Sequence, residues 1–168
     1  MTFHEDLLEQ ARFLARRERS KPKQISLRRS VSAAYYALFH FLVGKACDLL
    51  VSRSRRSRLH GYLSRAFHHE VMAKVCAGFA SARPARAIQD LLEAPPSRDL
   101  VRVGQVFIDL QQSRIEADYD RSIELTRREA LAVVDEAEHA IRGFLRIQGT
   151  PEADTFLAAL LVQKISRA

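Results

Sequence analysis

Arg28-Arg29-Ser30-Val31-Ser32-Ala33-Ala34-Tyr35-Tyr36-Ala37-Leu38-Phe39-His40 is the stretch that decides the fold class. Within and beyond it, Leu27, Val31, Ala34, Leu38, Leu42 and Leu49 recur at steps that put them on one side of an α-helix, and Tyr35, Phe39, Val43 and Leu50 widen that stripe. The pattern predicts a long, deeply buried helix from Ile25 or Ser26 to about Leu50, the central helix of a bundle, because so broad an apolar surface needs helices packed around it. Arg29, Ala33, Tyr36 and His40 follow at steps of four, three and four, so a polar stripe runs down the same mostly apolar helix.

A second stretch, Arg114-Ile115-Glu116-Ala117-Asp118-Tyr119-Asp120, sets an arginine, acidic groups and a tyrosine where an amphipathic segment gives way to polar sequence. Around these two stretches the remaining helices fall into place. Thr2 and Glu5 have capping-box spacing, and Phe3, Leu7, Leu8, Ala11, Phe13 and Leu14 extend a first helix to about Arg19, broken by Pro22. Leu59, Leu63, Phe67, Val71, Val75 and Phe79 repeat at fours and predict a third helix ending before Pro84. Residues 81–97 carry Pro84, Pro95 and Pro96, and are expected to loop with one or two helical turns. Leu100, Val103, Val106, Phe107 and Leu110 mark a fourth helix that ends near Ser113 to Ala117. Thr126 and Glu129 form a second capping box, before a fifth helix that Gly149 stops. Thr150-Pro151-Glu152 then opens a last apolar helix, with proline at its first position.

The expectation is an all-α, up-and-down bundle of about five to six helices. Residues 1–149 form the bundle, and residues 150–168 are a C-terminal helix packed on the same domain or on a partner. Six glycines and five prolines in 168 residues agree with helix over strand, and the length suffices for one domain. No apolar run of eighteen residues occurs and the N-terminus begins acidic, so a soluble, cytoplasmic protein with no membrane association is expected. Cys47 and Cys76 lie among apolar helical residues without CxxC spacing and read as reduced core fillers.

The net charge of +7 is largely arginine, whose planar fork suits phosphate, and it is clustered between Arg16 and Arg29 and again between Arg53 and Arg58. Polyanions are expected partners, although solvated helix ends would carry the same clusters. Other chemistry finds no signature. The chain has no Walker-type loop, no GxSxG, no GxGxxG and no HExxH, and His68-His69 points to two helix faces rather than to one metal.

Tyr35-Tyr36-Ala37 with Phe39-His40, the Arg114 to Asp118-Tyr119 spacing, and His60 after the basic turn together resemble the HEPN superfamily, in particular its small prokaryotic branch. The resemblance covers about Ser26 to Arg146. It implies a helical bundle that commonly forms a two-fold homodimer, with a cleft where the motif-bearing helix ends meet. It also implies an RNA-associated role, often as a metal-independent ribonuclease of a toxin or defence system, with no cofactor and no metal. In such enzymes an arginine followed after four to six residues by a histidine cuts RNA, the imidazole exchanging a proton and the guanidinium clamping phosphate. Here Tyr119 stands where that histidine would be, with Asp118 beside it. Arg55 and Arg53 precede His60 by the right spacing, but on a different helix.

On this resemblance the catalytic candidates are Arg114 as phosphate clamp, His40 or His60 as proton carrier, and Asp118 and Tyr119 beside them. Arg29, Arg53, Arg55, Arg56 and Arg58 are the RNA-binding candidates. The same residues also read as a buried polar network, with Asp118 pairing Arg114 or Arg29 and with Tyr36 and His40 completing its hydrogen bonds. A non-catalytic interaction module is the rival expectation, partnering a nucleotidyltransferase-type protein in a toxin and antitoxin pair. A small-ligand pocket lined by Tyr35, Tyr36 and Phe39 is the third.

Overall fold

The computed structural model describes residues 2–51, 56–81, 84 and 86–162, with the side chains of all of these but 56, 57 and 87. The described residues are helical and contain no strand. Their eight helices are α1 (Phe3–Arg16), α2 (Gln24–Leu50), α3 (Arg56–Ser64), α4 (His69–Ala80), α5 (Arg86–Gln89), α6 (Arg98–Tyr119), α7 (Arg127–Ile147) and α8 (Pro151–Val162). The all-α helical bundle is therefore the observed fold class. No helix among the described residues is long and apolar enough to cross a membrane.

Two compact units share the three longest helices. The first contains residues 1–41 and 106–141, the second residues 42–105 and 142–168. In the first unit α2 is buried on nearly every side. Leu27, Val31, Ala34, Tyr35 and Leu38 are almost wholly inaccessible, and Tyr35 packs on Phe107 of α6 with ring centroids 5.6 Å apart. Tyr35 and Phe39 are thus core, not the lining of a ligand pocket. From α1, Leu8, Ala11 and Ala15 face inward, whereas Phe3 and Phe13 are exposed, contrary to the expected stripe. Phe13 lies two residues from both Ala11 and Ala15, and two helical steps turn a side chain to the far face.

Three polar devices close this unit, and two of them satisfy carbonyls at and just beyond helix C-termini. Arg28 of α2 donates to the carbonyls of Ala117 at 2.9 Å, Asp120 at 2.8 Å and Ile123, capping the C-terminus of α6. Arg127 does the same for α1, donating to the carbonyls of Ala15, Glu18 and Arg19. Gln24 pairs its side-chain amide with the backbone of Leu125, donating to the carbonyl at 2.8 Å and accepting from the N–H at 2.9 Å. Asp120 ends α6 by accepting from the backbone N–H and the hydroxyl of Ser122, and those bonds hold its carboxyl below the ordinary 3.8.

In the second unit α8 packs against α4 through Phe79 and Phe156, whose rings meet edge to face at 5.2 Å. Phe144 of α7 joins them, and Arg146 holds Asp99 by two hydrogen bonds of 2.9 and 2.7 Å. Cys47 and Cys76 are both buried and unpaired with one another, and burial pushes the Cys47 thiol up to about 11, with Asp48 adding to the shift. Gly104 lets α6 approach α4 closely, since a Cβ there would stand 2.6 Å from the carbonyl oxygen of Cys76. Gly149, with φ of 84°, supplies the left-handed residue that ends α7 before α8.

The single third helix expected from Leu59 to Phe79 is two helices, α3 and α4, interrupted at residues 65–68 with His68 in an extended conformation. A step of four overshoots a helical turn by about 40°, so a stripe written only in fours rotates around a straight helix and cannot keep Leu59 and Phe79 on one face. The break resets the phase. It leaves Leu59 exposed while Phe67, Val75 and Phe79 are buried. Leu49 and Leu50 are likewise exposed, because the face buried at the end of α2 is the one that carries Cys47 and then Val51, four residues on.

Candidate functional site

The polar stripe of α2 and the end of α6 meet within the first unit. Asp118, mostly buried, places Oδ2 3.0 Å from Nε of Arg114, one turn earlier on α6, and Oδ1 3.6 Å from Arg29 of α2. Ser32 of α2 donates its hydroxyl to the same Oδ1 at 2.7 Å. Arg114 Nε is buried and meets the carboxylate as an ion pair, off the line of a directed hydrogen bond. Its other nitrogen donates to the hydroxyl of Tyr36 at 3.1 Å. Burial works against the charge of Arg114, but Tyr36 and Asp118 outweigh it and hold the pKa above the ordinary guanidinium value.

Aromatic rings frame this cation. The guanidinium carbon of Arg114 lies 5.7 Å from the ring centre of Tyr36 and 5.7 Å from that of Tyr119, within cation–π range of both. His40 stacks on Tyr36 at 6.0 Å, and Phe3 meets the histidine edge to face at 5.0 Å. Tyr119 and Phe3 are exposed, and the Arg29 side chain keeps 64% of its surface accessible. A surface therefore carries Arg29, Tyr119, Phe3 and His40 around a half-buried Arg114–Asp118 pair.

α6 runs through Tyr119 rather than ending near Ala117, so Arg114, Asp118 and Tyr119 belong to its last two turns. Arg29, Tyr36, His40, Arg114, Asp118 and Tyr119 all come together in the first unit. His60 belongs to the second unit, on α3, where Nε2 faces Asp48 at 3.9 Å. Arg58 is exposed there, Arg53 and Arg55 lie outside the described residues, and the side chain of Arg56 does as well. Sequence reasoning missed Ser32, although it lies three residues after Arg29 and four before Tyr36, on the polar stripe itself. Arg28, read as one more surface cation, is instead a helix cap.

Beside this network a cleft of about 410 Å³ opens between the start of α2 and the end of α6. Gln24, Ile25 and Arg29 line it from α2, and Asp118, Arg121, Ile123 and Glu124 from α6 and the turn after it. Among the described residues no group of three or more His, Cys, Asp or Glu is placed to hold a metal ion. No protein-family model matches this chain, and no curated protein or solved structure is significantly similar to it.

Proposed function

We propose that this chain is an RNA-associated helical protein of the HEPN kind, meeting RNA on the surface that carries Arg29, Tyr36, His40, Arg114 and Tyr119. The observation that supports this reading is the guanidinium of Arg114 within cation–π reach of two tyrosine rings, with Arg29 joined to it through Asp118. Cations that neutralise phosphate, beside rings on which bases stack, are the combination that binds single-stranded RNA without a metal.

If the protein cuts RNA, it does so as a divergent metal-independent ribonuclease. A ring nitrogen of His40 takes the proton of a 2′-hydroxyl, and that oxygen attacks the neighbouring phosphorus. The bond to the 5′ oxygen then breaks, with water protonating the leaving group, and Arg114 neutralises charge on the phosphoryl oxygens. The reading favours His40 over His60, because Tyr36 touches both His40 and Arg114. The test is cleavage of bulk RNA by the purified protein in EDTA, beside Arg114→Ala and His40→Ala. Loss of cleavage in both variants is the expected result.

One observation favours a second reading. Asp118 already answers the charges of Arg114 and Arg29, as a network that orients helices would. On that reading the chain is a non-catalytic interaction module, partnering a nucleotidyltransferase-type protein of a toxin and antitoxin pair. RNA that stays intact and unbound would select it. Under either reading a homodimer is expected, and a monomeric mass by light scattering at tens of micromolar would contradict that.

A further inference from the structure

We infer that the cleft between the start of α2 and the end of α6 is a guanine-nucleotide subsite, where the RNA of the proposed function places one residue. The inference rests on that reading and adds a base preference to it. At about 410 Å³ the cleft falls in the range of small-ligand sites, and its floor is fixed before any ligand arrives. Arg28 donates to three carbonyls of the α6 end and the turn after it, and Gln24 pairs with both backbone groups of Leu125, so the walls are tied together by five hydrogen bonds.

The groups left facing the cleft divide by chemistry. Ile25 is exposed and Ile123 half-buried, and together they offer an apolar surface for a flat base. Arg29 and Arg121 are exposed cations suited to a phosphate. Glu124 is an exposed carboxylate that takes no part in holding the floor. A carboxylate accepts only, so it selects a base edge that donates, and guanine alone among the RNA bases presents two adjacent donors on its pairing edge. Arg29 also contacts Asp118, which places the cleft next to the Arg114 surface, where the following phosphate would lie.

Titration calorimetry with the four nucleoside 5′-monophosphates and inorganic phosphate tests this on the full chain, alongside binding of single-stranded oligonucleotides that contain or lack guanine. Guanosine monophosphate should bind roughly tenfold more tightly than the other three, the margin one well-made pair of base contacts provides. Glu124→Gln should abolish that preference, and Arg121→Ala should weaken all four nucleotides alike. Both side chains are exposed and outside the contacts of the floor, so the variants should melt with the wild type. Equal affinity for all four nucleotides, or a guanine preference that survives Glu124→Gln, would overturn the subsite even if RNA binds. Guanosine monophosphate bound with the expected preference but no RNA bound would keep the subsite and remove the RNA reading.

Discussion

Asp118 and Arg114 face each other at 3.0 Å across one turn of α6, and the same carboxylate reaches Arg29 on α2 at 3.6 Å. One anion therefore answers two of the cations on the surface proposed for RNA. The consequence has a definite sign. Asp118→Asn keeps the shape and the acceptor for Ser32 while removing the charge, so RNA affinity should rise and its salt dependence should steepen. Each phosphate contact released to RNA adds about 0.7 to the slope for a single strand. Binding measured across a salt series checks this, and an unchanged slope with weaker binding would show that Asp118 serves only to hold the helices.

Arg28 is the cation whose loss should be felt in stability rather than in binding. Its charge-assisted bonds go to three carbonyls, of Ala117 in α6 and of Asp120 and Ile123 just after it. Arg28→Ala should cost about 2 to 3 kcal/mol, the range of a hydrogen bond to a charged group with its partners left unmet. That corresponds to a melting temperature lower by about 5 to 10 °C at this size. Thermal unfolding followed by circular dichroism checks it, and a shift under one degree would mean that water replaces the cap.

Acid should unfold the protein in a defined window. The carboxyl of Asp99 is held below its ordinary 3.8 by the hydrogen bonds from Arg146, and that of Glu129 below its ordinary 4.5 by the Thr126 backbone and hydroxyl. A carboxyl depressed in the folded state binds its proton more readily in the unfolded one, so the stabilisation is complete above about pH 4.5 and is lost as pH falls through the folded values. Urea midpoints should be flat from pH 6 to 5 and drop below pH 4. Thr126→Val should make that drop shallower.

Much of this was legible because it is local. The Thr126–Glu129 capping box forms as its spacing foretold, with the Glu129 N–H donating to the Thr126 hydroxyl at 3.2 Å and the Thr126 N–H donating to the Glu129 carboxylate at 2.7 Å. The buried stripe of α2 holds from Leu27 to Val43 for the same reason. What was illegible depends on partners far along the chain. Arg28 and the carbonyls it meets at the end of α6 and just after it are some ninety residues apart, and nothing in a run of arginines marks which one is a cap. Ser32 has its partner in Asp118, 86 residues further along the chain. The break between α3 and α4 lay hidden in a repeat of fours that looked continuous.

The central claim is that the Arg29–Arg114–Tyr36 surface meets RNA. The most direct measurement is the affinity of the purified chain for a single-stranded RNA over a range of salt, beside Arg114→Ala and the Tyr36→Phe, Tyr119→Ala double variant. Binding that weakens steeply with salt in the wild type, and that both variants weaken, is the predicted result. Binding absent at low salt, or equal in all three proteins, would contradict it and leave the Arg114–Asp118 pair as a strut between helices.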